Sequence, residues 1–430
     1  MNLGFVSTRF AGTDGVSLET TKWSTILRRQ GHNTFFCAGA LDEEHQPGML
    51  VPEMHFAHPT VRALHDAAFG LRPMPEDFSV LMEGMVNSLL GALKQFQAEY
   101  RLDVLIIQNA LAIPMHLPLG VALVRFLAET GMPAIAHHHD FYWERSRFAH
   151  CSVPQLLRST FPPDLPNVVH VVINSAAQRD LQARFGIPST VVPNVFDFSH
   201  AAPGITPHNS DLRTSLGLSD EHLLVLQPTR VVRRKGIELS LELVRGLRRR
   251  KRRLRGKEPV LLISHPAGDE GFDYFNHLQK LARRWRVPLF YAADRFHPSA
   301  TISEGVKYYS LWDAYVHADF VTYPSLYEGF GNALLEAIYF RLPVLVNRYS
   351  VYNQDIAPLG FDLIEIEGVV DDEVVDKVIE VLCDPVRRRR MVEHNYEVAR
   401  SHFSYEAVSP TLAALVEKAA NSSPTPLPQG

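Results

Sequence analysis

Apolar runs of about five residues alternate with amphipathic stretches along most of the chain, and they do so in two successive sets. A strand covered by helices on both faces has no polar side to show. A short unbroken apolar run bounded by turn residues therefore predicts a parallel strand in an α/β sheet. The first set predicts strands at 3–7, 34–38, 104–108, 134–138, 168–174 and 190–193; the second predicts them at 223–228, 259–264, 288–291, 320–323, 343–347 and 362–366. The repeat makes two doubly wound, Rossmann-like α/β domains the expected fold class. Between the sets, 194–207 is rich in Pro, Ala, Asn and His without period and reads as a linker ending near Ser210. Helical stretches follow the second set at about 372–383, 385–402 and 405–420, and a Ser/Pro-rich tail, 421–430, is expected to be disordered. The expected domains are 1–200 and 210–402.

At 430 residues the chain is long for one core and suits two domains with a cleft between them. With 46% hydrophobic residues and a formal net charge of −4, it has the composition of a soluble globular protein with no global attraction for nucleic acid. Cys37, Cys151 and Cys383 are scattered without paired or metal-ligand spacing, which fits a reducing compartment and argues against a disulfide scaffold. The first strand opens directly, without a basic leader or cleavage site, and no apolar run reaches membrane-spanning length. A cytoplasmic protein without stable membrane insertion is expected; a homo-oligomer is neither required nor excluded.

Chemistry concentrates at strand ends. The segment Tyr323-Pro324-Ser325-Leu326-Tyr327-Glu328-Gly329-Phe330-Gly331-Asn332-Ala333-Leu334-Leu335-Glu336-Ala337 leaves a strand, passes two glycines and enters a helix expected at 332–341. Without side chains, Gly329 and Gly331 let backbone N–H groups approach an anion, and the helix dipole favours negative charge there. A diphosphate suits that turn, with Glu328 and Glu336 placed to grip opposite ends of an extended ligand across roughly 12 Å of helix rise. Arg230 and Lys235, followed by Gly236, lie in the loop after the first strand of the second set. Fixed cations there would stabilise charge developing on a leaving diphosphate. In the first set, Arg9, Thr13, Asp14 and Gly15 occupy the loop before a helix expected at 18–29. That loop has neither Gly-x-Gly-x-x-Gly nor a Walker Lys-Ser/Thr pair, which argues against a dinucleotide cofactor or a P-loop nucleotidase.

His137-His138-His139-Asp140 ends another strand of the first set. Alternation puts His137 and His139 on one side and His138 on the other, and no Cys or Glu completes a ligand set, so no metal site is expected. Tyr142, Trp143, Arg145 and Arg147 follow: aromatics that suit sugar faces and guanidinium groups that suit a carboxylate or phosphate. Gln108 and Asn109 end a further strand and offer polar contacts. The longest charge cluster is the basic run 248–257, which gives a non-enzymatic alternative, binding of an anionic polymer or lipid. Its place at the end of a helix expected at 237–249, without interleaved aromatics, favours a solvated surface instead.

The Glu328/Glu336 spacing, the Gly329/Gly331 pattern and the Arg230/Lys235/Gly236 set resemble the signature of the retaining family 4 glycosyltransferases of the GT-B fold, and the matched motifs span 15–336. The resemblance implies a nucleotide diphosphate sugar as co-substrate, with no cofactor or metal required. It implies an acceptor-binding first domain, a donor-binding second domain, and a last helix, 405–420, that crosses back onto the first. Arg230, Lys235 and the 329–331 turn would hold the diphosphate, Glu328 the donor-sugar hydroxyls and Glu336 the ribose, with Gly15, Phe330, Asn332 and Leu334 completing the donor side. His139, its carbonyl steadying positive charge at the anomeric carbon, would join Arg230, Lys235 and Glu328 as a catalytic group. Arg9, Thr13, Asp14, Gln108, Asn109, Asp140, Tyr142, Trp143, Arg145 and Arg147 would face the acceptor. Many relatives carry adjacent glycines where this chain has Asp14-Gly15. The motifs place no carboxylate as nucleophile, so the two-carboxylate glycosidase scheme fits poorly. Within the family, 5–17 and 137–145 are similar to a mannosylglucosylglycerate synthase-like group, which implies GDP-mannose as donor and glucosylglycerate as acceptor. A UDP-glucose-dependent transferase on another acceptor and a GT-B nucleotide-sugar 2-epimerase are the alternatives.

Overall fold

Two parallel sheets organise the chain in the computed structural model, which describes residues 1–12, 14–70 and 74–422. Thr13 and the tail from 423 onward lie outside the described residues. The chain divides into one unit of Met1–Val195 with Tyr405–Gly430 and a second of Phe196–Ser404.

In the first unit the strands are β1 (Asn2–Val6), β2 (Asn33–Ala38), β3 (Gly48–Leu50), β4 (Val104–Gln108), β5 (Ala134–His138), β6 (Val168–Val172) and β7 (Ser189–Val191). They run parallel in the order β3-β2-β1-β4-β5-β6-β7. Strands β4, β5 and β6 are buried at every position. Each aliphatic side chain taken out of water there is worth about 1.5–3 kcal/mol. One face is covered by Phe78–Tyr100 and Leu117–Thr130, the other by Gly15–Arg29 and Tyr405–Ala420, whose Val408, Leu412 and Leu415 pack with Leu3, Phe5 and Trp23. The helix Phe78–Tyr100 buries Phe78, Met82, Val86, Leu89, Leu93 and Phe96, an interval of three or four residues that keeps one stripe inward.

The second unit holds β8 (His222–Gln227), β9 (Glu258–Ile263) and β10 (Leu289–Tyr291), then a small sheet of β11 (Phe296–His297), β12 (Thr301–Ser303) and β13 (Val306–Ser310), and finally β14 (Phe320–Tyr323), β15 (Val344–Asn347) and β16 (Ile364–Ile366). Its main sheet is parallel in the order β10-β9-β8-β14-β15-β16. Helix starts follow local chemistry: Asp384 accepts from the N–H groups of Val386 and Arg387, with Pro385 at the first helical position.

Three expectations need correction. The segment read as a linker holds the boundary between the units, after Val195, but its start is packed: Val195 N–H bonds the buried Glu19 at 3.1 Å, Lys22 bonds the Val195 carbonyl at 2.6 Å, and Phe196 and Phe198 are buried against Tyr339 and Tyr396, while 199–207 is largely exposed. The helix expected at 18–29 begins at Gly15, because Asp14 caps it through the N–H groups of Val16 and Ser17. The small sheet β11–β13 was not anticipated, since its strands are short and carry exposed polar residues.

The order of each main sheet reverses once, between β1 and β4 and between β8 and β14. Loops leaving the carboxyl ends of two such strands diverge, and the gap they leave is where α/β sheets bind ligands.

Candidate active site

At the second reversal, β8 exits into Gln227-Pro228-Thr229-Arg230 and β14 into Pro324-Ser325-Leu326-Tyr327-Glu328. Lys235 and Glu328 are 7% and 8% exposed, and Lys235 Nζ is bonded to Glu328 Oε1. Arg234 donates to Glu328 Oε2 at 2.9 Å and to the Tyr327 carbonyl at 3.1 Å. Burial pushes the Glu328 carboxyl up, but the Lys235 and Arg234 charges outweigh it and hold the group below its ordinary value. Burial, aided by Arg234, holds the Lys235 ammonium below its ordinary value despite Glu328. Arg230 is half exposed and bonds Asp269 at 2.6 Å. Burial and the nearby Lys235 and Arg230 cations push His265 down to about 4, so its imidazole is neutral near pH 7. Lys235, Arg234 and Arg230 against Glu328 and Asp269 leave one net positive charge, which suits an anion such as a diphosphate.

The backbone around this cluster permits no side chains at two points. Gly236 has φ +57, and a Cβ there would lie 2.6 Å from the Pro324 carbonyl oxygen; Gly331 has φ +144, and a Cβ there would lie 2.5 Å from the Tyr349 hydroxyl. That hydroxyl donates to the Phe330 carbonyl at 2.5 Å, and Asn347 donates to the Ser325 carbonyl at 3.1 Å, so β15 braces the turn after β14. Beneath the loops, Ser240, Gln227 and Thr322 form a buried hydrogen-bonded triangle with sides of 2.9, 2.9 and 3.0 Å.

At the first reversal the buried groups joining the strand ends are neutral, and the charged Arg9, Asp14, Asp140 and Arg145 lie around them. Gln108 Oε1 accepts from His137 Nδ1 at 2.9 Å and His139 Nε2 at 3.1 Å, while His138 faces the other way and bonds His170 at 2.9 Å. Burial holds His137 and His138 well below the ordinary imidazole value, and burial together with the Lys22 charge brings His139 to about 4 against the opposing pull of Asp140 and Asp14. Asn109, at φ 58, donates to Asp140 at 2.9 Å and accepts the His139 N–H at 2.9 Å, which ties the ends of β4 and β5 together. Asp140 also bonds Arg145. Arg9 bonds Asp14 at 2.8 Å and lies over the Phe56 ring at 5.4 Å.

Comparison with known proteins gives this geometry a family. The model described as "Glycosyl transferases group 1" matches residues 299–398. A protein named mannosylglucosylglycerate synthase from Petrotoga mobilis is 33% identical, covering 94% of this chain and 98% of that protein. One of the same name from Thermotoga maritima is 32% identical, covering 96% and 99%. The chain belongs to the mannosylglucosylglycerate synthase family of glycosyltransferases. The solved glycosyltransferase from Rickettsia africae superposes with a TM-score of 0.68 at 12% identity, covering 97% of this chain and 98% of that one. At that identity the likeness is one of fold, the two Rossmann-like domains of the GT-B glycosyltransferases.

Within this glycosyltransferase, the structure gathers Lys235, Glu328 and Gly329 to Gly331 at one reversal and Arg9, Asp14, Gln108, Asn109, His139 and Asp140 at the other. Several expected contacts are narrower than the sequence suggests. Phe330 and Leu334 bury their side chains, and the Leu334 N–H bonds the Gly331 carbonyl at 3.0 Å, so Phe330 offers a ligand its backbone alone. Glu336, on the helix Asn332–Tyr339, accepts from the Tyr315 hydroxyl at 2.6 Å. Gly15 starts its helix, and Asp14 already takes the N–H groups that follow it. Trp143 stacks on Phe141 and Phe185 and lies beneath Arg184, which commits its ring to packing; Tyr142 stands edge-on to it. Arg147 is exposed and lies over Phe148.

The sequence reading missed Arg234, Tyr349, Asn347 and Phe56. Arg234 adjoins Lys235 and was legible as a third cation of one loop; the other three come from distant segments and carry no local signal. In the basic run, Arg248 and Lys251 pair with Glu258, and Arg250 and Arg253 pair with Asp376, so much of its charge is met within the fold. Among the described residues no group of three or more His, Cys, Asp or Glu is placed to hold a metal ion, and no helix is long and apolar enough to cross a membrane.

Proposed function

We propose that this glycosyltransferase moves a mannosyl group from GDP-mannose to glucosylglycerate, with retention at the anomeric carbon and without a metal or other cofactor. The transfer chemistry rests on one observation, the buried Lys235–Glu328–Arg234 cluster at the sheet reversal. The choice of donor and acceptor draws on the relatives' name. In this reading the sugar–phosphate C–O bond breaks as the acceptor oxygen attacks from the same face, and the acceptor proton passes to the departing phosphate oxygen. Lys235, Arg234 and Arg230 stabilise the charge arriving on that diphosphate without reorganising, which is where preorganised donors act most strongly. The neutral His139 orients donor hydroxyls by hydrogen bonding and carries no charge to compete with the developing oxocarbenium.

The test is nucleoside diphosphate release from GDP-mannose and UDP-glucose, each with and without glucosylglycerate and with and without a chelator. Expected is release from GDP-mannose alone, dependent on acceptor, indifferent to chelation and absent in Glu328→Gln, with an α-linked product by NMR. Release from UDP-glucose only, or an isomerised sugar formed without acceptor, would overturn the reading.

A further inference from the structure

Between the ends of β1 and β4 the first unit carries a cavity of about 110 Å³, walled by Arg9, Phe56, Gln108, Asn109, Ile113 and Met115. Two of its polar groups are donors with capacity to spare. Gln108 is fully buried, and the orientation in which its oxygen accepts from His137 and His139 leaves its amide nitrogen without a partner among the described residues. A buried donor without an acceptor is destabilising, and a ligand oxygen would relieve it. Arg9 bonds Asp14 through one nitrogen of a group with five N–H donors, and its guanidinium carbon lies over the Phe56 ring, 5.4 Å from the centroid, at the cavity wall.

Asp14 also lines the cavity and would repel an anion if its charge were bare. It is not bare: Oδ1 accepts from the N–H groups of Val16 and Ser17, and Oδ2 accepts from the Ser17 hydroxyl and Arg9. The space admits several waters and has room for a three-carbon acid.

We propose that this cavity binds the acid end of the acceptor, a carboxylate on a fragment of about three carbons, through the Arg9 guanidinium and the Gln108 amide. The assignment rests on the transferase reading above and sharpens it: Arg9, and not Arg145 or Arg147, selects a charged acceptor. Arg145 is exposed and already paired with Asp140, and Arg147 lies outside over Phe148. The apolar wall of Phe56, Ile113 and Met115 lowers the polarity on one side of the ion pair and strengthens it.

The experiment compares glucosylglycerate with glucosylglycerol, which replaces the carboxylate by a neutral CH2OH, in wild type, Arg9→Gln and the pair Arg145→Gln/Arg147→Gln. The acceptor KM, donor KM and thermal midpoint are read for each. Expected for Arg9→Gln is a KM for the acid raised about 10- to 100-fold, as for loss of a charge-assisted bond, with the neutral acceptor, donor KM and midpoint little changed. The Arg145/Arg147 pair keeps wild-type discrimination. Equal losses on both acceptors in Arg9→Gln, or discrimination lost in the Arg145/Arg147 pair, would overturn the assignment. Calorimetric binding of D-glycerate alone separates this from the function: if no acceptor supports transfer, the proposed reaction falls, while glycerate binding lost in Arg9→Gln still upholds the cavity and unchanged binding rejects it.

Discussion

The two sheet reversals meet the same topological problem with opposite chemistry. In the second unit, Lys235, Arg234 and Glu328 are ions packed into a turn, each satisfied by a neighbour at the same spot. In the first, Gln108, Asn109 and the 137–139 histidines are neutral amides and imidazoles linked across strands. A buried ion must find its counter-ion or be neutralised, so Lys235 and Glu328, 93 residues apart in sequence, are brought together by the neighbouring strands β8 and β14. Neutral groups tolerate burial at about 1 kcal/mol per hydrogen bond and can be gathered from anywhere in the fold. The first arrangement suits a ligand whose charge never varies, such as a diphosphate. The second suits a polyhydroxylated partner recognised by geometry, with the Arg9 charge at its edge.

The contrast predicts the largest effects at the ionic site. Glu328→Ala leaves the buried Lys235 without its partner, which costs about 3–5 kcal/mol, whereas Lys235→Ala leaves Glu328 paired with Arg234 and costs less. Loss of a preorganised donor slows transfer by a further ~10²–10³. The double variant Lys235→Met/Glu328→Gln recovers stability and not activity. Urea midpoints and kcat check this, and single variants as stable as wild type would break the comparison. The pH dependence has a definite sign. The Glu328 carboxyl is held below its ordinary 4.5, so its contribution is full above that value and is lost as pH falls through the lowered one. Lys235 lies below its ordinary 10.5, so transfer declines on the basic side before that value is reached.

The neutral site is vulnerable to acid. His116 and His170 are buried and pushed down from 6.5 to about 4, and His137 and His138 are held well below 6.5. Between those values the unfolded chain binds protons that the native state refuses, so stability falls as pH drops from 6.5 to about 4. The loss approaches ~3 kcal/mol each for His116 and His170. In the second unit His265 reaches about 4. The first unit should therefore unfold earlier in acid, reported by Trp23, whose ring stacks on His137 at 4.1 Å. A urea midpoint that does not move between pH 7 and pH 4.5 would refute the claim.

The same contrast explains what could be read in advance. The run from Tyr323 to Ala337 carries strand end, turn and helix start in one piece, and its chemistry was legible because Glu328, Gly329 and Gly331 stand together in it, while Lys235 stood in a second strand-end motif 93 residues earlier. Its braces were not: Tyr349 and Asn347 hold carbonyls 19 and 22 residues away, and a side chain that serves a backbone oxygen leaves no pattern. In the first unit the alternation of His137, His138 and His139 was legible from strand geometry alone, whereas the wall provided by Phe56 and Met115 depends on how loops pack. Trp143 has a packing role that the sequence did not show. An aromatic beside cations looks like a sugar platform, but Phe185 arrives from another helix to share its stacking.

The smallest effects belong to charges that are neither buried nor preassigned, and they sharpen the comparison most cheaply. Arg250 bonds Asp372 at 2.7 Å and Asp376 at 3.3 Å, in a run with far more charge than the Lys235 loop. Asp372 is largely in water, which screens the pair and lets either partner re-solvate when the other is lost. Arg250→Gln should therefore cost under about 1 kcal/mol and leave transfer unchanged. Arg252→Gln, at an exposed position of the same run, should fall within about 0.5 kcal/mol of wild type. Both are checked by urea midpoint and kcat at two salt concentrations. If either variant matched the loss at Lys235, charge number rather than burial would set what an ion contributes to this fold, and the distinction between the two reversals would lose its physical basis.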